Sequence, residues 1–439
     1  MASGLKGLDK LRAIHRRITT SALNSTLGPG TPPDDVRRIK RLRSQPPNFI
    51  YDKLSHYQSS PYFLLETALS TYLPDSVNCT LPKQPSSTPR ELPAGYHLVF
   101  FPPPTKLLIK DGTDNMHYPG KPWVRRMWAG GSIDFMTDRR RRHLECRYTQ
   151  SDYVRCREEI VNAVVKGSPG KQKFWVDLRR TIGPSKGPWE RSVRGEGVVE
   201  QAAIIERRNL VFMPAKTYQE AKDDISQPIR TIKREQDSIL YPKRGLHIAT
   251  DHSTLATNKP DFSVSMVPDS SLLFRFSALT FNAHRIHLDR EYARTVEGFR
   301  NLVVHGPLSI LLILKVLGSQ MGSSKRGVPH KIKSITYKNL APLFADEKMT
   351  ICVKRSQPQP KVASTEANGT ETLANVDSKR ADEYDEVQRW DVWIENQEGG
   401  YAVKGTAETV ATTSVFRFVG SNGTTKDKRT PDEKASVAV

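Results

Sequence analysis

The chain is short of the features that several large protein classes require. Its 439 residues include only four cysteines, Cys79, Cys146, Cys156 and Cys352. Their spacings match neither a disulfide framework nor a zinc-ligand pattern, which assigns the chain to a reducing compartment. Its buried-looking apolar segment, residues 307–317, is far shorter than the roughly 20 residues that a membrane-spanning helix needs, so no transmembrane segment is expected. Zinc-finger, RNP-type and phosphate-cradling glycine patterns are missing, which leaves sequence-specific nucleic-acid binding without a supporting motif. Acids are nearly missing from the amino-terminal end: Lys6, Lys10, Arg12, Arg16 and Arg17 face only Asp9 before Asp34.

That basic start carries Leu8, Leu11, Ile14 and Ile18 near one helical face, followed by a Ser/Thr-rich stretch. A secretory signal would need an unbroken apolar core, so residues 1–33 read as a mitochondrial transit peptide, with the matrix as destination. Over the whole chain 67 basic residues outnumber 47 acidic ones, a net charge of +20. Such a surface attracts polyanions: nucleic acid, an anionic membrane, or an acidic carrier protein bearing a thioester. Clusters such as residues 37–41 and 139–142 hold part of the excess, and solvated surface is the plain alternative for each.

The pattern of apolar residues divides the chain into two halves. Residues 34–90 read as a basic leader and linker containing a short helix over 62–72 and a Pro/Ser-rich stretch over 82–93. A first domain is expected over 91–216, with strands at 96–101, 128–135, 145–149, 173–178 and 198–206. Ser151, as an N-cap, predicts a helix over 151–166. A charged linker over 217–260 leads to a second domain over 261–412, with strands at 272–279, 332–337, 348–354, 389–395 and 401–408. Its polar stretch 356–386 reads as a disordered insertion, and 413–439 as a disordered tail.

Residues 281–308 hold the chemistry. The expected strand over 272–279 delivers Asn282 into a turn, and Asp289 caps a short helix through Arg294. His287 is left on the entering loop, where an imidazole can be held by its neighbours and still face a ligand. Pro307 in the first turn and Gly318 at the end mark a buried helix. The unpaired N–H groups at its Gly306 end carry partial positive charge, suited to an oxygen becoming enolate-like. His284 lies three residues from His287, a spacing seen in metal pairs, but no third ligand accompanies it, so no metal is expected.

Asn282, His284, Arg285, His287, Asp289 and Ala293 together resemble the hydratase motif of the MaoC-like, or R-specific, enoyl-thioester hydratases. In that motif the position of Asn282 is a catalytic aspartate and that of His287 the catalytic histidine. Asparagine at this position resembles the branch of the mitochondrial hydroxyacyl-thioester dehydratases of type 2 and the mesaconyl-CoA hydratases. Residues 95–101, 125–131, 206–213 and 337–343 support the same branch, and the likeness covers roughly residues 90–410.

The resemblance implies an α+β double hot-dog fold, two antiparallel sheets each wrapped around a central helix, with one active site in the second half. It implies a hydro-lyase, a 3-hydroxyacyl-thioester dehydratase, with Asn282, His287 and Gly306 catalytic and Ser277, His305 and Asp289 binding substrate. An amide can orient a hydroxyl but cannot exchange a proton as a carboxylate does, which leaves His287 as sole proton carrier. The chemistry calls for no cofactor. The expected partners are an acyl thioester and an acyl carrier protein in fatty-acid synthesis; the sequence leaves the oligomeric state open. Two other readings stay open: a mesaconyl-CoA-type hydratase of short branched CoA esters, and a non-catalytic basic mitochondrial binding protein.

Overall fold

The structure is a computed structural model that describes residues 31–54, 60–77, 90–136, 145–146, 153–185, 202–226, 259–321, 329–356 and 387–411. The expected transit peptide, the insertion over 356–386 and the tail after 413 lie almost wholly outside the described residues.

The first half runs through α1 (Pro33–Arg43), β1 (Asn48–Asp52), α2 (Pro61–Leu69), the short β2 (Arg90–Glu91), a single 3₁₀ turn (Tyr96–Val99), β3 (Trp123–Phe135), the short β4 (Glu145–Cys146), β5 (Tyr153–Lys166), β6 (Lys173–Ser185), β7 (Ile204–Pro214) and α3 (Tyr218–Ser226). The second half holds β8 (Phe262–Met266), α4 (Ser270–Thr280), a 3₁₀ turn (Arg285–His287), α5 (Arg290–Thr295), α6 (Gly306–Ser319), β9 (His330–Asn339), β10 (Met349–Arg355), β11 (Gln388–Glu395) and β12 (Tyr401–Ala411). Ten strands form one antiparallel sheet in the order β1-β5-β6-β7-β3-β9-β12-β11-β10-β8. Five come from each half, and β3 pairs with β9 at the seam, Gly131 opposite Tyr337. This is the α+β double hot-dog expected from the resemblance, its two sheets joined edge to edge.

The halves differ in what lies on their sheets. In the second, α6 is buried on every side from Leu308 to Leu317, as a helix enclosed by a curved sheet must be. Ser309 and Lys315 are its only polar members there. Lys315 is satisfied by Glu66 of α2 at 2.6 Å and the Tyr96 hydroxyl at 3.0 Å. In the first half two shorter helices share the task. Ile39 and Leu42 of α1 pack with Phe174, Val176 and Phe212, while Leu65 and Leu69 of α2 join the main core with Ile133 and Ile182.

Several local expectations are corrected. Residues 272–279 are helical, because Asp269 caps α4 through the Leu272 N–H at 2.8 Å and the buried set is Leu272, Leu273, Phe276 and Ser277. The alternation of Phe274 with Phe276 misleads, since Phe274 is exposed. Residues 151–166 are not a helix: the described part is strand β5, its fourteen residues paired with β1 and β6. Residues 96–101 hold a buried 3₁₀ turn instead of a strand. The segment read as leader and linker contributes α1, β1 and α2 to the core, and the linker after 216 begins with α3, whose Ala221 is fully buried. Among the described residues no helix is long and apolar enough to cross a membrane.

Candidate active site

The end of α4 sets the first functional side chain. Its C-terminus closes with Phe281 in the left-handed region at φ 52°, and the N–H of Asn282 reaches back to the Ser277 carbonyl at 2.9 Å. That reversal turns Asn282 away from the helix axis. Its Oδ1 then accepts the His284 N–H at 3.1 Å, which leaves the Nδ2 donors on the other side of the amide.

A single 3₁₀ turn carries the chain from His284 to His287. Asp289 caps α5 by accepting the Tyr292 N–H at 2.9 Å and pairs with Arg285. It is not among the residues that line the cavity. The His287 Nδ1 lies 2.6 Å from the Val303 carbonyl oxygen. A carbonyl can only accept, so Nδ1 carries the proton and Nε2 holds the lone pair. Burial pushes His287 down to about 4, with the Val303 contact opposing, so the ring is neutral near pH 7 and its Nε2 lone pair is free.

Two further imidazoles frame that ring. His305 stacks on it with centroids 3.6 Å apart and planes at 22°. His305 Nε2 in turn meets Ser277 Oγ at 2.8 Å. Both are buried, and neither is among the residues that line the cavity; they lie behind His287. His284 meets His287 edge-on at 5.5 Å and approaches Asp111 Oδ2 at 3.6 Å. Burial, with the neighbouring His287, holds both His284 and His305 well below their ordinary value.

Gly306 opens α6, with His305 as N-cap. A Cβ at Gly306 would stand 3.1 Å from Asn339 Nδ2 and 3.5 Å from Trp128 Cβ, so the helix end is tightly enclosed. Asn282, His287 and Gly306 all line one cavity of about 460 Å³. Further walls come from residues 339–343 of the second half and, in the first half, from Trp128 of β3, Arg208 of β7 and the loop around Gly112 and Asp114. That loop holds the catalytic turn in place, the Arg285 N–H donating to the Asp111 carbonyl at 2.8 Å. Gly112 sits at φ +87°, and a Cβ there would fall 2.0 Å from the Ala283 carbonyl oxygen.

Sequence reasoning had not singled out Asp111, Trp128, Val303 or Asn339. Trp128 and Asn339 lie in stretches that carry the family likeness, but only the β3–β9 seam shows that they meet, Asn339 Nδ2 donating to the Trp128 carbonyl at 2.8 Å. Among the described residues no group of three His, Cys, Asp or Glu side chains is placed to hold a metal ion.

Comparison with known proteins decides the family. The model described as hydroxyacyl-thioester dehydratase type 2 matches residues 95–223 and 184–345, more than half of the chain. The chain belongs to that family. It is a hydro-lyase acting on acyl thioesters, as its family and its relatives' names agree. The mitochondrial hydroxyacyl-thioester dehydratase type 2 of Schizosaccharomyces pombe is 27% identical over 305 residues, which cover 68% of this chain and 87% of the yeast protein. The mesaconyl-C(4)-CoA hydratase of Chloroflexus aurantiacus is 41% identical over 114 residues, 26% of this chain and 38% of that hydratase. A solved MaoC-like dehydratase from Phytophthora capsici aligns with 85% of this chain and 98% of its own at 14% identity and a TM-score of 0.43.

Proposed function

We propose that this dehydratase removes water across C2 and C3 of a 3-hydroxyacyl thioester, with His287 as the one acid–base group. The observation that carries the reading is that the basic Nε2 of a neutral imidazole, an amide donor and the amino end of a buried helix share one cavity. His287 Nε2 takes the C2 proton, and the thioester oxygen, gaining negative charge, is held at the Gly306 end of α6. The enolate then expels the C3 hydroxyl, which is hydrogen-bonded to Asn282 Nδ2. The proton on Nε2 goes to the departing oxygen, so water and a C2–C3 double bond result and the imidazole is returned neutral. The reverse sequence hydrates the enoyl thioester.

An acyl carrier protein as thioester donor and the mitochondrial matrix as location complete this reading. The basic surplus of the chain and the mitochondrial names of its yeast relatives support them. The partial likeness to a mesaconyl-C(4)-CoA hydratase favours short, branched CoA esters as the second reading of the same site. Purified protein assayed with 3-hydroxyacyl-CoA and 3-hydroxyacyl-carrier thioesters tests both. His287→Ala is expected to lower kcat by roughly 10² to 10⁴-fold, the usual contribution of a placed acid–base group. Equal turnover by variant and wild type would remove His287 from the mechanism.

A further inference from the structure

Two buried polar atoms face one another where the loop before β3 meets the turn that carries His287. Asp111 Oδ2 comes from the first half and His284 Nε2 from the second, and they are 3.6 Å apart. Both are shielded from solvent, and neither makes a hydrogen bond among the described residues. A buried donor and a buried acceptor left unmade each cost free energy. A shift of about half an ångström brings these two within ordinary hydrogen-bond range. The contact around them is close: a Cβ at Gly112 would fall 2.0 Å from the Ala283 carbonyl oxygen, and the Arg285 N–H donates to the Asp111 carbonyl at 2.8 Å.

The surroundings decide which atom donates. Asp111 Oδ1 is engaged already, accepting the Thr113 N–H at 2.8 Å and the Thr113 hydroxyl at 2.7 Å, so Oδ2 is the oxygen left for His284. A carboxylate oxygen can only accept. The single proton of the neutral His284 ring therefore belongs on Nε2 and the lone pair on Nδ1. His284 lines the cavity with Asn282 and His287, and of its two ring nitrogens Nε2 is the wholly shielded one, which leaves Nδ1 on the cavity side. The backbone of the same residue is tied to the amide, since Asn282 Oδ1 accepts the His284 N–H at 3.1 Å.

A leaving hydroxyl offers two lone pairs and one hydrogen. In the mechanism above Asn282 Nδ2 takes one lone pair and the proton from His287 Nε2 takes the other, while Asn282 Oδ1 is occupied and cannot receive the hydrogen. We propose that His284 Nδ1 accepts the hydrogen of the C3 hydroxyl, and that Asp111 is the positioning residue that keeps a lone pair on that nitrogen. This rests on the dehydratase reading above. His284 gains and loses no proton. The C2–H and C3–O bonds break, the C2–C3 double bond forms, His287 returns its proton to the departing oxygen, and the water released keeps its original hydrogen directed at Nδ1. While the oxygen takes its second proton its first hydrogen becomes a stronger donor, so the contact tightens along the reaction and does not serve the ground state alone. With two directions around the oxygen fixed, the remaining lone pair is aimed at Nε2.

The test compares two leaving groups, a 3-hydroxyacyl-CoA of the chain length that wild type turns over best and its 3-fluoro counterpart. Fluorine has no hydrogen to donate: its elimination breaks C2–H and C3–F, releases fluoride, and lets His287 return its proton to solvent. The quantity read is the ratio of kcat/KM for the hydroxy ester to that for the fluoro ester, in which a general loss of structure cancels. His284→Phe keeps a ring beside His287 and is expected to lower the ratio by about 10-fold, the size of one hydrogen bond. Asp111→Asn is the sharper probe. The two Thr113 donors hold the amide oxygen in the place of Oδ1, so the NH₂ group faces His284 Nε2, which must then accept; the ring proton moves to Nδ1 and the cavity loses its lone pair. The same fall in the ratio is expected there without a change in side-chain size. Should His284→Phe not fold, Asp111→Asn decides alone. An unchanged ratio in Asp111→Asn, whether both esters slow together or neither does, makes the pair purely structural and overturns the proposal while the dehydratase reading stands. Absence of wild-type turnover with every 3-hydroxyacyl thioester overturns the dehydratase reading, and this proposal with it.

Discussion

As the proposed base, His287 depends on a carbonyl for its tautomer. With Nδ1–H held by Val303 and His305 stacked on one face, one tautomer and one orientation remain, and the lone pair is on Nε2. Burial lowers the ring to about 4, so the base keeps its lone pair well below the pH at which a free imidazole takes a proton. The acid limb of kcat/KM is therefore expected below pH 6, which a pH–rate profile on the free enzyme checks. Stability follows with a definite sign. A histidine whose folded value is depressed is neutral in the folded chain while the unfolded chain is already protonated, so stability is full above about 6.5 and is lost as pH falls toward 4. His97, likewise pushed down to about 4 by burial, and His284 and His305 act in the same direction. Thermal melts between pH 7 and pH 4.5 should show a falling Tm, and a flat profile would contradict these shifts. Asn282 plays the smaller part. Asn282→Ala should lower kcat by about 10- to 100-fold, the loss of one hydrogen bond to the leaving hydroxyl. Asn282→Asp should retain measurable turnover, because the His284 N–H still finds an acceptor oxygen.

At the scale of elements, α6 matters for where it begins. In the proposed mechanism the Gly306 end approaches the thioester oxygen, and the space beside it is filled by Asn339 and Trp128. Gly306→Ala should reduce kcat/KM more than it reduces the urea midpoint, since its methyl meets Asn339 Nδ2 at 3.1 Å without disturbing the remaining turns of the helix. This helix was legible in the sequence, because an apolar run with Pro in its first turn has few other readings. So were α5 with its Asp289 cap and strands β9 to β12, where in β11 the buried Trp390 and Val392 alternate with the exposed Arg389 and Asp391. Strand β5 was not. Its inner face carries Glu158, which register pairs with Arg180, and a buried charge erases the period-two signal that alternation depends on. The cavity that gives the first half its use also hid one of its strands. Helix α4 was misread for a different reason: Phe274 is large, apolar and exposed, and it supplied a false alternation beside a true cap at Asp269. Asn282, His287 and Gly306 stand close together in the sequence, in and just after the motif that carries the resemblance, whereas Asp111, Trp128 and Arg208 come from distant strands and loops and meet them only in three dimensions.

On the scale of the whole molecule, the two halves act as one unit whose cavity needs both. The second half supplies the imidazole, the amide and the helix end, and the first supplies the opposite wall and the loop that pins the catalytic turn. One tie between the helices of the halves is the buried pair Lys315–Glu66, 2.6 Å apart with both side chains almost wholly shielded. Lys315 lies on α6 and Glu66 on α2, so the pair bridges α6 and the first half. Breaking a buried pair by removing one partner typically costs roughly 3 to 5 kcal/mol, whereas replacing both by apolar groups is often close to neutral. Lys315→Met alone is therefore expected to lower unfolding stability in urea by that order, and adding Glu66→Leu to recover most of it. Activity should separate from stability in the double variant. If the pair only contributes stability, restored folding restores kcat/KM; if it also sets the position of α6, the double variant folds well but stays slow. Equal urea midpoints for wild type and Lys315→Met would show that the two helices are held by apolar packing alone.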